Sequence, residues 1–219
     1  GAIELDTHSL YGLLQTYHTY TWFEDKEQRP FIQSRSTFAG SGKYGGHWTG
    51  DNKADYDWLR YSISSIFDFN FFGIPFTGAD ICGFKGDSDP LLWAKWYKIA
   101  TVYPFARNHN DLNAISQEPY DSRFDVMIDN KYNYTAKDII KKAAYIRYGL
   151  HVYAYTQFHK SSTEGMPAFK PLFYNYADDN DAYNYIENNI LLGDYVKMSA
   201  DYGKSEKHNF YLPRKENWW

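Results

Sequence analysis

One stretch of the chain, residues 30–52, carries residue types that could perform chemistry, and it reads PFIQSRSTFAGSGKYGGHWTGDN. Its short apolar run ends at Arg35, and a loop with five glycines then leads to Trp48 and Asp51. Because glycines interrupt helical and strand periods alike, much of this segment should be loop. A guanidinium, an indole ring and a carboxylate held on loops suit a site better than a core. The alternative is a flexible surface loop in which Asp51 caps the next helix.

Aromatic residues are unusually frequent, at 20% of the 219 residues, with 22 Tyr and 7 Trp. Many of these rings must pack in the interior of the protein. Flat rings with apolar faces also suit stacking on sugar rings, which carry polar groups at their edges. The composition alone does not choose between packing and sugar binding.

Three ordered segments resemble glycoside hydrolase family 31, the α-glucosidase family. They read SRSTFAGSGKYGGHWTGDN, FGIPFTGADICGF and YPFARNHN, and their spacing agrees with that family. Weaker similarity extends over nearly the whole chain, including RYGLHVYAY and ILLGD. The resemblance implies a retaining, exo-acting α-glucosidase that hydrolyses terminal α-linked glucose from oligosaccharides. An α-xylosidase or a glucosidase II remains an alternative within the same family.

The resemblance also implies roles for individual residues. Retaining glycosidases use two carboxylates, one as the nucleophile and one as the acid/base. Asp51 corresponds to the acid/base, which must carry its proton when the reaction begins; a nearby ionised carboxylate and a partly dry pocket favour this. Arg107 is expected to be structural. The implied substrate-binding residues are Arg35, Trp48, Asp80, Phe84 and His109.

The catalytic nucleophile is not expected in this chain. In the family it lies in a WxDMNE motif on the fourth barrel strand, and no such motif occurs in the sequence. We therefore expect the chain to supply the acid/base half of the site and to need an N-terminal half of the barrel, from the same or another chain. The alternative is an inactive relative that serves as a structural or carbohydrate-binding subunit. Against it stand four intact polar residues: Arg35, Asp51, Asp80 and His109.

The elements that must position these residues alternate between strands and helices, which is typical of an α/β barrel. Strands are predicted at 30–35, near Trp48, from residue 74 and at 102–105, each followed by polar residues. Helices are predicted at 54–70, at 91–101 after an Asp89-Pro90 start, and from Thr135, with Asp138 completing its cap. The predicted buried face of the last helix comprises Ile139, Ala143, Ile146, Leu150 and Tyr153.

The expected fold class is therefore α/β: the C-terminal half of a TIM (β/α)8 barrel followed by the start of a β-sandwich domain. The resemblance places the barrel part at residues 1–170 and the start of the sandwich at residues 171–219. Half a barrel has unpaired strand edges and an unfilled interior, so we do not expect it to be stable alone.

Other partner classes are not indicated. The net charge of −4 gives no basic footprint for nucleic acid, and no apolar run reaches membrane-spanning length. The spacing of His and Asp residues matches no zinc or calcium site, so no metal or cofactor is expected.

The single cysteine, Cys82, should be a buried free thiol. The family resemblance implies that many animal members pair the equivalent cysteine with one eleven residues later, where this chain has Trp93. A sequon at Asn133 suggests glycosylation and a secretory route, lysosomal or extracellular.

Overall fold

Short parallel strands that alternate with helices form the larger part of the fold. The computed structural model describes residues 3–129, 131–184, 186–203, 210–214 and 216–219. The helices are α1 (Glu4–Thr7), α2 (Tyr11–Asp25), α3 (Tyr56–Phe71), α4 (Pro90–Ala100) and α5 (Ala136–Glu164). The strands are β1 (Gln33–Ser34), β2 (Gly46–Trp48), β3 (Thr77–Gly78), β4 (Asp80–Ile81), β5 (Arg107–Asn108), β6 (Met127–Asp129), β7 (Tyr134–Thr135), β8 (Phe169–Pro171), β9 (Asn189–Leu192) and β10 (Val196–Ser199).

The first five strands run parallel in two ladders, β1-β2-β3 and β4-β5. Only Ala79 separates β3 from β4, so the two ladders meet along one interrupted strand. A backbone hydrogen bond of 3.1 Å from the Phe105 amide to the Thr77 carbonyl joins them further. The carboxyl ends of these strands therefore face one edge, as the predicted strand–helix alternation requires.

The strand predicted at 102–105 is wrong, because the strand begins later, at Arg107. The guanidinium of Arg147 on α5 explains the difference. Its Nη1 donates to the carbonyl oxygens of Ala100 at 3.0 Å and Tyr103 at 2.7 Å. The Tyr103 carbonyl is thus satisfied by a side chain, and the amides of Val102 and Tyr103 bond back to Ile99 and Ala100, so these two residues join no strand ladder.

Two predicted helix starts, at Asp89-Pro90 and at Thr135, are confirmed. The side chain of Asp89 accepts hydrogen bonds from the amides of Leu91 and Leu92, each at 2.9 Å. Thr135 and Asp138 form a reciprocal capping box at the start of α5. Both signals are local in sequence, since a cap bonds only to the first turn of its own helix.

The predicted buried face of α5 is correct in part. Ala143 is buried, but Ile146 is 49% exposed, so its assignment to the core is wrong. Ile140, six residues before Ile146, packs in the core instead. The other predicted residues are partly buried against the core: Ile139, Leu150 and Tyr153.

The antiparallel sheet β10-β9-β8 follows α5 and shares its core with the parallel part. Phe169 and Ile190 of this sheet belong to the same apolar cluster as Leu59 and Trp93. Cys82 also lies in this cluster as a free thiol, as predicted. The division at residues 170 and 171, and the extension of this sheet into a sandwich, stay predictions. No helix among the described residues is long and apolar enough to cross a membrane.

Asn70, in the last turn of α3, joins the antiparallel sheet to the parallel part. Its Oδ1 accepts hydrogen bonds from the amides of Ala168 and Phe169, each at 3.0 Å. Its Nδ2 donates to the Ile66 carbonyl oxygen at 2.9 Å, and the side chain is buried. One amide group therefore satisfies two buried backbone donors at the entry to β8.

We expect Asn70→Ala to lower the free energy of unfolding of the intact protein by about 2–4 kcal/mol. The reason is that it leaves two buried amides unpaired, at roughly 1–3 kcal/mol each before relaxation. Urea unfolding followed by fluorescence measures the change. Asn113→Ala is the matched control, because Asn113 is exposed and should tolerate the change. Equal stability of the two variants would contradict the role of Asn70.

Candidate active site

The structure brings the predicted site residues to one edge of the parallel strands. Arg35 directly follows β1, Trp48 ends β2, and Asp51 lies three residues beyond it. Asp80 opens β4, and His109 directly follows β5. Since the carboxyl ends of parallel strands meet at one edge, short loops suffice to gather side chains from different parts of the sequence.

Asp80 lies at the centre of this group and is completely buried. Its Oδ1 accepts a hydrogen bond of 2.8 Å from Trp48 Nε1 and one of 2.7 Å from Arg107 Nη2. Burial raises the pKa of Asp80, while the bonds from Arg107 and Trp48 oppose that rise. Its Oδ2 is buried and has no hydrogen-bond partner among the described residues. An unpaired buried acceptor is costly, so a ligand hydroxyl bonding to Oδ2 would recover free energy.

Arg107 holds both Asp80 and Trp48. Its guanidinium carbon lies 5.0 Å from the centroid of the Trp48 ring, within the range of a cation–π contact. Arg35 contacts the same ring less closely, at 5.8 Å. These contacts agree with a structural role for Arg107 that fixes the indole and the buried carboxylate together. Sequence reasoning missed the pairing of Arg107 with Asp80, although the register of β4 against β5 sets these two residues opposite each other.

Asp51 and Arg35 form a loose ion pair, with 3.9 Å between Asp51 Oδ1 and Arg35 Nη1. The Asp51 side chain is 31% exposed and that of Arg35 is 64% exposed. Water screens such a pair, and its contribution to stability is small. The Asp51 carboxylate is therefore accessible to a ligand and has a cation nearby.

Phe84 and His109 form a second part of the site. Their ring centroids lie 4.9 Å apart, with the rings tilted by 36°. The buried side chain of Gln117 stabilises this pair, since its Nε2 donates to the carbonyl oxygens of Gly83 at 3.0 Å and His109 at 3.3 Å. Sequence reasoning did not identify Gln117, because a glutamine in a loop carries no recognisable pattern.

Gly50 determines the space available to Arg35. Its φ is +87°, a left-handed conformation that glycine adopts easily. A Cβ at this position would lie 2.6 Å from Arg35 Nε. A side chain at position 50 would therefore displace the Arg35 guanidinium from its place beside the Asp51 loop.

His47, next to Trp48, is not suited to proton transfer. Its Nδ1 lies 3.0 Å from Thr37 Oγ1, and its ring stacks on Phe69 with 3.6 Å between centroids. Burial lowers the pKa of His47 to about 4, so the ring is neutral near pH 7. Its role is packing beneath the site.

Two further predictions concern modification and metal binding. Asn133 is exposed and lies on the turn between β6 and β7, with φ of +56°. Its glycosylation stays a prediction. Within the described ranges, no three His, Cys, Asp or Glu side chains gather as ligands for a metal ion.

Comparisons with known proteins establish the family. The model of the glycosyl hydrolases family 31 TIM-barrel domain matches residues 2–157. Lysosomal alpha-glucosidase of Mus musculus is 37% identical over 207 residues, which cover 93% of this chain and 21% of that protein. The crystal structure of a glucosidase II alpha subunit has a TM-score of 0.83 at 31% identity and covers 93% of this chain and 21% of that one.

A family 31 alpha-glucosidase from Bacteroides thetaiotaomicron has a TM-score of 0.80 at 32% identity, covering 97% of this chain and 34% of that one. The chain thus spans about a fifth of the mouse relative and about a third of the bacterial one. The predicted fold class, the C-terminal part of an α/β barrel, is confirmed by the domain match and these structures. Because the family model matches more than half of this chain, the chain belongs to glycoside hydrolase family 31.

Proposed function

We propose that the protein is a retaining, exo-acting α-glucosidase and that this chain supplies the acid/base half of its active site. The observation that carries the proposal is the group formed by Asp51, Arg35, Trp48, Asp80 and His109 at the carboxyl ends of the parallel strands. The names of the relatives, lysosomal alpha-glucosidase and family 31 alpha-glucosidase, support the substrate class.

In this proposal Asp51 transfers protons in both steps of the reaction. It first donates a proton to the glycosidic oxygen while a carboxylate outside this chain attacks the anomeric carbon. The C–O bond to the leaving sugar breaks, and a covalent glucosyl intermediate forms. Asp51 then takes a proton from water, which attacks the anomeric carbon and releases glucose. Arg35, at 3.9 Å, stabilises the Asp51 carboxylate between these steps.

The remaining residues hold the glucose unit that is cleaved. The free Oδ2 of Asp80 accepts a hydrogen bond from a sugar hydroxyl, and His109 contacts another hydroxyl. Trp48 and Phe84 form the apolar walls. A sugar that lacks the matching hydroxyl leaves the buried carboxylate unpaired, so this arrangement favours glucose over its analogues.

The proposal includes a second half of the barrel, from the same or another chain. The parallel ladders leave β1 and β5 with one unpaired edge each among the described strands, and a closed barrel would pair both. A secretory location is supported by the relatives, since one is named as lysosomal and another as an ER glucosidase II complex.

Hydrolysis of an aryl α-glucoside, whose leaving group contributes no glucose, by the intact protein, followed by proton NMR, tests the proposed function. A retaining enzyme releases α-glucose first, and β-glucose then accumulates by mutarotation. Initial release of β-glucose would exclude the retaining mechanism. If maltose, isomaltose and an aryl α-glucoside are all left intact, the inactive-relative alternative replaces the enzyme.

We expect Gly50→Ala to lower maltose hydrolysis by on the order of 100-fold, because displaced reacting groups lose rate on this scale. The added Cβ collides with the Arg35 side chain and displaces its guanidinium from its place beside Asp51. Gly40→Ala is the matched control: its φ is +88°, but nothing lies within 4 Å of the added Cβ. Initial rates of maltose hydrolysis measure the effect. Equal losses of rate in the two variants would mean that backbone strain, and not the collision with Arg35, causes the loss.

A further inference from the structure

We propose that Asn52 is a positioning residue that holds the acid/base loop and the substrate-binding loop in a fixed mutual geometry. The acid/base loop here means residues 49–52, and the substrate-binding loop means residues 80–85. The inference rests on the proposed function, in which the first loop carries Asp51 and the second carries Asp80 and Phe84. It assigns to Asn52 a part in catalysis without contact with the substrate.

The side chain of Asn52 bridges the two loops from a buried position. It is 2% exposed. Its Nδ2 donates to the carbonyl oxygen of Asp80 at 2.9 Å, and its Oδ1 accepts from the amide of Phe84, also at 2.9 Å. Both polar atoms of the amide are therefore satisfied, and both partners are backbone atoms of proposed substrate-binding residues.

The backbone of Asn52 reinforces the same connection. Its carbonyl oxygen accepts from the amides of Phe84 at 3.0 Å and Lys85 at 2.8 Å. Three donor groups thus connect Asn52 to the substrate-binding loop, since the single Phe84 N–H is shared between the side-chain and backbone oxygens of Asn52. A change in the position of Asn52 would move this loop and the acid/base loop together.

The substrate-binding loop needs such support because it leaves the strand conformation immediately after β4. Cys82 has φ of +76° and Gly83 has φ of +88°, so two consecutive residues adopt left-handed conformations. A non-glycine residue in this region carries a conformational cost that surrounding contacts must offset. The bonds from Asn52 lie on both sides of this turn, at Asp80 and at Phe84.

The acid/base loop depends on Asn52 for a different reason. Within the part of the chain that the structure describes, the charged group near the Asp51 carboxylate is Arg35, at the long distance of 3.9 Å. The side chain of Asp51 is therefore held mainly by the backbone on either side of it. Gly50 precedes it, and the anchored Asn52 follows it. Loss of the Asn52 anchor should thus affect the position of the acid/base itself.

Asn52→Asp in the intact protein tests the inference, since it removes the Nδ2 donor at nearly constant shape. We expect kcat for maltose to fall by on the order of 10- to 100-fold. For α-glucosyl fluoride the loss should be smaller, because fluoride leaves without protonation by the acid. A larger loss on maltose than on the fluoride is the signature of a misplaced acid.

Asn70→Asp is the matched control. Asn70 is also buried, its Oδ1 also accepts from backbone amides, and its Nδ2 also donates to a backbone carbonyl, but it lies away from the site. Both variants should lose stability in urea, whereas only Asn52→Asp should change the ratio of the two activities. If Asn52→Asp does not fold, Asn52→Ser and Asn70→Ser provide the same comparison, since both retain the backbone hydrogen bonds.

The outcomes separate this inference from the proposed function. Equal losses on maltose and α-glucosyl fluoride, or the same activity profile in the Asn70 variant, would overturn the positioning role while leaving the glucosidase in place. If the wild-type protein hydrolyses neither substrate, the proposed function fails. Binding of 1-deoxynojirimycin, a glucose-shaped iminosugar, then decides the inference by calorimetry. Weaker binding by Asn52→Asp than by Asn70→Asp supports the positioning role, and equal binding overturns it.

Discussion

Replacing Asp51 with asparagine is expected to lower maltose hydrolysis by about 10²–10⁴-fold, the range that general acid–base catalysis contributes. The amide keeps the shape of the carboxyl group but can neither give the proton to the leaving oxygen nor take one from water. Initial rates on maltose measure the loss. Asp57→Asn is the control, because Asp57 is an exposed acid in the first turn of α3. Unchanged turnover in the Asp51 variant would contradict the acid/base assignment.

Asp51→Ala allows a sharper test of the same role. The smaller side chain leaves space for azide, which attacks the glucosyl intermediate without help from a base. We expect azide to accelerate turnover of α-glucosyl fluoride and to yield α-glucosyl azide, identified by NMR. Loss of activity that azide does not restore would indicate that Asp51 serves the structure of the loop and not proton transfer.

Asp80→Asn should weaken binding of 1-deoxynojirimycin by roughly 10- to 100-fold. Hydrogen bonds to charged groups contribute about 1.5–3 kcal/mol, and 1.4 kcal/mol corresponds to a factor of ten. The change replaces the unpartnered acceptor Oδ2 with an amide donor, and it removes the negative charge opposite Arg107. Isothermal titration calorimetry of the intact protein measures the binding constant. Unchanged affinity would exclude Asp80 from the sugar site.

The stability of Asp80→Asn shows whether its weaker binding of 1-deoxynojirimycin results from a lost contact or from an unfolded variant. Because burial raises the pKa of Asp80, the folded state favours the protonated carboxyl. The free energy of unfolding of the wild-type protein therefore falls as the pH rises from below 3.8, the usual pKa of an aspartate, through the raised pKa of Asp80. Asp80→Asn does not show this fall, because its amide does not titrate. Arg107 is 41% exposed and can be hydrated when its partner is neutral. We thus expect the free energies of unfolding of the wild-type protein and of Asp80→Asn, measured with urea near pH 7, to differ by no more than about 1 kcal/mol. A folded but strongly destabilised variant with normal affinity would make Asp80 a structural residue.

Local signals predicted the elements well. The start of α4 and the start of α5 depend on side chains that bond within their own first turn, so a few residues of sequence contain the information. Resemblance to the family identified the residues that the structure brings together at the strand ends. Their individual roles stay predictions, which the variants of Asp51 and Asp80 test.

Long-range bonds between side chains and backbone could not be predicted. Arg147 satisfies the carbonyls of Ala100 and Tyr103 from a helix more than 40 residues later. Asn52 and Gln117 each bond to the backbone of a loop about 30 residues away. Such bonds have no period and no preferred spacing. They become visible only when the three-dimensional arrangement is known.

The shared core of α3 and the antiparallel sheet bears on how the chain unfolds. Phe67 of α3 packs on Phe169 of β8 with 5.1 Å between ring centroids, and Asn70 bonds to the same strand. Amide protons of β8 and β9 should therefore exchange with solvent in the same cooperative event as those of α3. A fragment that ends at residue 170 would lose β9 and leave Phe67 and Phe169 partly uncovered. We therefore expect the antiparallel sheet and α3 to unfold as one cooperative unit.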